Sequence, residues 1–310
     1  RSVCIRNTGN TSSDEITGHL AGYSIALLMA RDALSSDEVA LCVSLLSNIT
    51  LRIVRDGFRL LDVDGTTPTR WGNWAPASLN EDPSWAEERG LNSVQILAHL
   101  LCAYRITGEA ELETAFWSLV NEHGYAFNMV NQKITAPDDV SGGDNVLAFV
   151  PYLALHYACT LPGAPPATLA MCTAIAPELK ISVRRAYAVV KPAKAALFSF
   201  VYAIVERGSP DAAKAAATGL HALHRYPLEL IEWPTDNSHR LDLPTNIDMK
   251  PTLNESAVGL ARDECDAMRW DTRPFSRQPA GSGMTSEDPV HFLLSYWMGR
   301  REELIPAETD

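Results

Sequence analysis

The sequence predicts a mainly helical fold, read as one domain over residues 1–310 with a small β-hairpin near residues 58–74. Three observations carry that expectation. Apolar residues recur at helical spacing through most of the chain, for example Val94, Leu97, Ala98, Leu101 and Tyr104. Capped starts, at Ser12 with Glu15, at Ser36 and at Ser209-Pro210-Asp211, and glycine stops at Gly108 and Gly124 punctuate these runs. Only one short stretch switches to a strand-like pattern, Phe58 to Val63, then Asp64-Gly65, then Thr67 to Trp74.

The first helix is expected from about residue 14 to 33. Ser12 followed by Glu15 has the spacing of a capping box, in which hydroxyl and carboxylate satisfy the unpaired N–H groups of the first turn. Glu15, His19 and Tyr23 then lie on one polar stripe, while Ile16, Leu20, Leu27 and Leu28 lie on or near an apolar side. Asp14 and Glu15 are equally accounted for by the helix dipole, which favours acids at this end. A second helix is expected from Ser36, read as its cap, to about Arg55.

After the hairpin, Trp71, Trp74 and Trp85 crowd a loop-rich segment. Indole N–H groups need partners, so this density suits either an aromatic platform for a sugar ring or packing of a long loop against the body. Glu87, Glu88 and Arg89 either contact a substrate or supply first-turn charges to the next helix. That helix should stop at Gly108, and a partner over Glu109 to Val120 makes an αα-hairpin. Tyr125 to Ile134 reads as irregular. Further helices are expected over Asp144 to Thr160, at about 168–180, 183–206 and 210–223, with a Pro-rich break at Leu161 to Ala167.

The segment from about 227 to 283 is rich in Pro, Asp, Asn and Arg and has little periodicity. Within it Asp236, Asn237, His239, Arg240 and Asp242 form either a binding element or a turn whose Asn and Asp cap the backbone. The last helix runs from Glu287 to about Arg300. Its Glu287 and His291 repeat the Glu15 and His19 spacing behind a similar Thr-Ser start, with Asp288 alongside and Pro289 suited to a first turn. The two ends of the chain are therefore expected to meet at one site.

Bulk properties narrow the function classes. The 310 residues carry a net charge of −12 and are 46% hydrophobic, enough for a sizeable core. That charge argues against nucleic acid or an anionic membrane surface as the main partner. No apolar run approaches the ~20 residues needed to span a bilayer. There is no Gly-rich phosphate loop, H-E-x-x-H or G-x-S-x-G motif.

Six cysteines lack C-x-x-C spacing, which disfavours structural zinc. Cys159 and Cys172 are the first disulfide candidates, against six buried thiols. Asn10, Asn48 and Asn254 each open an N-x-S/T triplet, and the chain begins at Arg1 rather than Met. Together these tilt toward a secreted or extracytoplasmic glycoprotein, processed or trimmed at its start. No cofactor is expected; a divalent metal held by Glu15, His19, His239 and Asp242 ranks below the metal-free readings.

Several blocks carry a resemblance: TSSDEITGH at 11–19, DVDG at 62–65 with WGNW at 71–74, WAEERGLNS at 85–93, HGY at 123–125 with NQK at 131–133, NSHR at 237–240, and residues 286–300 ending YWMGR. These look like blocks of a poorly characterised, mostly bacterial family that resembles the six-hairpin glycosidase (α/α-toroid) group. The resemblance covers nearly the whole chain and implies a helical-hairpin ring and a carbohydrate connection. A full ring needs twelve main helices, whereas eight to ten are legible here, so either the ring is incomplete or an upstream part has been removed.

Glycoside hydrolysis needs one carboxylic acid and one carboxylate. Asp14 or Glu15 is expected as one member and Glu287 or Asp288 as the other, with His19, His239 and Arg240 orienting substrate. Tyr23, Trp71, Trp74, Trp85, Glu88, Arg89, Asn237, His291 and Tyr296 are the expected substrate-binding residues. A polysaccharide lyase is the alternative, with Asn237 and Arg240 neutralising a uronate and His239 with Tyr23 or Tyr296 as base. The third reading is a non-catalytic carbohydrate-binding protein. In each case the partner is a carbohydrate or related small molecule, and the oligomeric state is left open.

Overall fold

The computed structural model describes residues 11–131, 142–191, 194–226, 231–241, 279–284 and 289–306. Among them the chain is mainly helical, with one two-stranded antiparallel sheet. None of these helices is long and apolar enough to cross a membrane. The sequence reading treats 1–310 as one domain; the contacts group the chain into two compact units, Arg1–Ile134 with Val150–Leu179, and Thr135–Phe149 with Lys180–Asp310.

In the first unit, helix α1 spans Ser13–Met29 and starts at the predicted capping box, with Ser12 as N-cap and Glu15 reaching back to it. It ends earlier than expected, and a short 3₁₀ turn follows at Arg31–Ala33. Helix α2, Ser36–Arg55, is capped by Ser35 rather than Ser36. The reason is local: Glu38 lies three residues after Ser35 and completes a second box there.

Strands β1 (Arg59–Leu61) and β2 (Pro68–Asn73) form the predicted hairpin, with Arg59 opposite Asn73 and Leu61 opposite Pro68 and a register irregularity between. The link is a six-residue loop in place of a two-residue Asp-Gly turn. Asp64 Oδ1 accepts the Thr66 and Thr67 N–H groups at 2.8 Å, and its Oδ2 accepts the Thr67 hydroxyl. These bonds, led by the Thr67 hydroxyl, pull the Asp64 carboxyl down to about 2. Gly72 lets β1 come close, because a Cβ there would sit 2.5 Å from Leu60.

Helix α3 (Pro76–Leu79) and a 3₁₀ turn at Pro83–Trp85 lead into α4, Arg89–Thr107. Every residue of α4 from Gly90 to Ala103 is buried, so it is the axis of this unit. Packing on all sides explains why its sequence shows little amphipathic contrast. Helices α1, α2, α5 (Ala110–Asn121) and the short α6 (Tyr125–Asn128) pack on it. Gly108 takes the left-handed conformation at φ +72° and closes the expected hairpin. The stretch expected to be irregular from Tyr125 thus begins with a helical turn, because Tyr125 is fully buried and anchored.

Helix α7 (Gly142–Thr160) and α8 (Pro166–Val190) flank the predicted Pro-rich break. Cys159 and Cys172 form the disulfide expected first, with Cα atoms 5.7 Å apart, and Cys102 is a buried free thiol. Cys4 and Cys265 lie outside the described residues, as do Asn10 and Asn254. The expected boundary between helices near residues 181–182 is absent. Helix α8 continues through Pro177 and the fully buried Ser182 to Val190, just short of Pro192.

The second unit centres on α9, Ala196–Val205, which is buried from Leu197 to Ile204. Helices α10 (Pro210–His224, capped by Ser209) and α11 (Val290–Arg301) pack against it. Phe200 enters where Gly219 and Gly299 leave room; a Cβ on either would lie 2.6 or 2.8 Å from its ring. Helix α11 starts after Pro289 instead of at Glu287, and Glu287 and Asp288 lie outside the described residues. In the irregular segment near 227–283, an antiparallel bridge joins Thr235 and Ala280.

Candidate functional site

The richest concentration of chemistry in the first unit is built around β2 and the start of α4. Trp74 is completely buried just past β2 and donates its indole N–H to Gln95 Oε1 at 2.8 Å. Its carbonyl accepts the Tyr125 hydroxyl, and its ring meets His99 edge-on at 5.9 Å. Asn92 donates to the Asn73 carbonyl at 2.9 Å, and Asn73 donates to the Ser78 hydroxyl at 2.8 Å. Arg89 donates to the Leu79 carbonyl. Trp74 and Arg89 therefore hold the Trp-rich segment in place, which for Trp74 matches the packing alternative.

His99 is 3% exposed, and burial drives its pKa down to about 3, so the imidazole is neutral. One ring nitrogen, Nε2, lies 3.4 Å from the Thr17 hydroxyl. Beside it a cavity of about 10 Å³ is lined by Ser24, Cys102 and Pro151 among others, room for about one water. Burial pushes the Cys102 thiol up to about 12, which keeps it unreactive.

Outside this buried network the same segment presents a different surface. Trp71 is 42% exposed and meets Trp85 edge-on with ring centres 6.3 Å apart. The Arg70 guanidinium lies 4.5 Å from the centre of the Trp71 ring. Glu87 is exposed, while Glu88 is half-buried as the residue before α4. Helix α1 packs against β2 as well as α4, so the Asp14 and Glu15 helix and the Trp71 strand are adjacent elements.

On α1 the predicted stripe is present. Asp14, Glu15 and His19 are exposed, and His19 stacks with Tyr23 at 5.8 Å. Glu15 Oε2 accepts the Ser12 N–H at 2.9 Å and also the Ser12 hydroxyl. These bonds, the Ser12 hydroxyl first, hold the Glu15 carboxyl below the ordinary range, with a smaller contribution from His19. Glu15 is thus poised as a carboxylate.

The remaining predicted residues fall in the second unit. Asp236 Oδ1 accepts the Ser238 N–H at 2.9 Å, and this bond lowers its pKa; the Asn237 carbonyl accepts the Arg240 N–H at 3.0 Å. This is the backbone-capping turn, with Asn237 buried, His239 exposed and Arg240 half-buried. On α11, His291 is half-buried and Tyr296 stacks on Phe292 at 5.7 Å. The expected meeting of the two chain ends requires Glu287 and Asp288, and the proposed metal set requires Asp242; all three lie outside the described residues. Among the described residues no group of three or more His, Cys, Asp or Glu is placed to hold a metal ion.

Sequence reasoning missed Asn73, Asn92, Gln95, His99 and Tyr125. A signal was present, since Asn92, Gln95 and His99 recur at helical spacing amid apolar neighbours. Neither a known family, nor a characterised protein, nor a solved structure matches the chain.

Proposed function

We propose that this protein is a carbohydrate-active protein of the α/α-toroid type, acting as a glycoside hydrolase at the outer face of the hairpin segment. The observation that carries the reading is Trp71, which stands exposed beside Trp85 and Arg70 on a strand against which the helix bearing Asp14 and Glu15 packs. Exposed indoles give sugar C–H faces an apolar, polarisable seat, and the surrounding polar groups can bind hydroxyls. Asp14, Glu15, Glu87 and Glu88 are the carboxylates of this unit that the chemistry draws on. Glu15, held ionised, takes the base or nucleophile role. The Cys159–Cys172 disulfide supports an extracytoplasmic setting, where such bonds persist.

The test is a glycan-library screen scored for new reducing ends and for ultraviolet absorbance of unsaturated products. Hydrolysis gives the first alone; absorbance would favour the lyase. Amide replacements Asp14→Asn, Glu15→Gln, Glu87→Gln and Glu88→Gln should include at least one that abolishes turnover, and full activity in all four would reject the hydrolase assignment. One observation favours binding without turnover as a second reading: the Glu15 carboxylate is already engaged in capping α1. That reading expects Trp71-dependent retention on glycans and no product.

A further inference from the structure

Helix α11 is apolar on two sides, and only one of them packs against α9. Ser295, Met298 and Gly299 are buried on that side, where Gly299 makes room for Phe200. On the other side Val290, Leu293 and Leu294 are exposed, and Trp297 is 64% exposed. Their spacing, i, i+3, i+4 and i+7, sets all four in one continuous stripe along the helix. The Trp297 ring is held by its neighbours: it meets Tyr296 edge-on with centres 5.1 Å apart, and Tyr296 stacks on Phe292. A helix that is apolar on opposite sides is one that proteins normally bury on both. Leaving four contiguous apolar side chains in water forfeits that burial and marks an interaction surface.

The stripe is complementary to itself. Its midpoint falls between Leu293 and Leu294, so a second α11 laid antiparallel across that point sets Val290 opposite Trp297 and Leu293 opposite Leu294. The smallest side chain then faces the largest at both ends, the alternation of sizes that a packed helix pair requires. Charge follows the same symmetry. In the sequence the acidic pair Glu287-Asp288 precedes the stripe and the basic pair Arg300-Arg301 follows it. An antiparallel copy therefore brings acid toward base at each end, whereas a parallel copy would bring like charges together. At 12 residues α11 is about 18 Å long, and an identical helix covers the stripe from end to end. We propose that this face of α11 is a two-fold docking surface for a second copy of this chain. A single helix pair buries less than the roughly 1,200 Å² of a stable complex, so the dimer is weak and forms as concentration rises.

The test is sedimentation velocity of the full chain from about 1 μM to about 500 μM. The average mass should climb from 33.9 kDa toward twice that value. Trp297→Ala should raise the dissociation constant of the dimer by at least about tenfold, as loss of a tryptophan anchor does, and Leu293→Glu should keep the chain monomeric throughout. Both side chains lie on the outer side, so melting curves of the two variants, recorded where the wild-type chain is monomeric, should match wild type. Mild oxidation of cysteine variants reads the register. Leu294→Cys lies beside the two-fold axis and should give a disulfide-linked dimer above the wild-type background. Val290→Cys should not, because its two copies are separated by about 10 Å along the pair, beyond the ~7 Å a disulfide can bridge.

A wild-type chain that stays at 33.9 kDa across the range overturns the proposal and leaves the stripe to another occupant. A dimer that Leu293→Glu and Trp297→Ala both leave intact overturns it too, because a different surface then holds the copies together. Marked destabilisation of Trp297→Ala in the monomeric range would show that the chain covers its own stripe, with the same consequence. Crosslinking of Val290→Cys as readily as Leu294→Cys overturns the antiparallel arrangement on which the choice of occupant rests.

Discussion

Trp71 and Trp74 stand three positions apart in the same extended stretch, yet they do opposite things. Trp74 turns inward, loses all contact with water and satisfies its indole N–H on Gln95. Trp71 turns outward, edge to face with Trp85 and beneath the Arg70 guanidinium. An odd separation in extended chain places two side chains on opposite sides. The inner side carries a buried polar network that fixes the backbone, and the outer side carries groups whose exposure costs stability. One residue type therefore serves as scaffold in the first case and as display in the second.

The sharpest way to break this comparison is to remove the inner ring. Trp74→Ala deletes a fully buried side chain and leaves Gln95 without the indole donor, and should cost about 3–5 kcal/mol of stability in denaturant unfolding. A loss under about 1 kcal/mol would mean that Trp74 is not the scaffold. Next in size is the Cys159–Cys172 bond, which joins α7 to α8 across the Pro-rich break at a sequence separation of 13. Replacing both cysteines by serine should cost about 3 kcal/mol, chiefly by freeing the unfolded chain.

His99 gives the inner network a pH signature. Its folded pKa of about 3 lies below the unfolded value near 6.5, because burial penalises the imidazolium. Above pH ~6.5 both states are neutral and the full stability is present. As pH falls, the unfolded chain takes up a proton that the native chain refuses until pH ~3, so stability drops by up to about 1.4 kcal/mol per pH unit, or about 2 kcal/mol by pH 5. His99→Gln should remove that part of the slope in unfolding curves measured from pH 7 to pH 5. An unchanged slope would show that the imidazole does not remain neutral in the native state.

What the sequence disclosed follows the range of the interactions involved. The start of α1 needs only Ser12 and Glu15, and the end of α4 only Gly108, so both were legible. The disulfide was legible because Cys159 and Cys172 bracket a break whose short length brings their helices together. The cap of α2 slipped by one residue because Ser35 and Ser36 both qualify and only the Glu38 partner decides. The continuity of α8 was hidden because burial of Ser182, a tertiary effect, holds a helix through a sequence that looked like a boundary. At the candidate site, the polar stripe of α1 was readable from spacing. The division of labour among the tryptophans was not, because it depends on Gln95, Tyr125 and His99 arriving from α4 and α6.

The smallest expected effect is the most informative about function. Trp71→Ala removes a ring that is 42% exposed and that no described hydrogen bond anchors through its indole, so the unfolding free energy should change by only about 0.5 kcal/mol. On the proposed carbohydrate function, its loss should nevertheless weaken retention on any glycan that the library screen identifies. Arg70→Ala is the companion, because it removes the guanidinium over Trp71 while leaving the indole in place. If Trp71→Ala destabilises the chain as much as Trp74→Ala, the outward ring is packing and not display. A ring that contributes little to the fold yet is held by Trp85 and Arg70 has its orientation fixed before any ligand arrives, and that prior ordering lowers the entropy lost on binding.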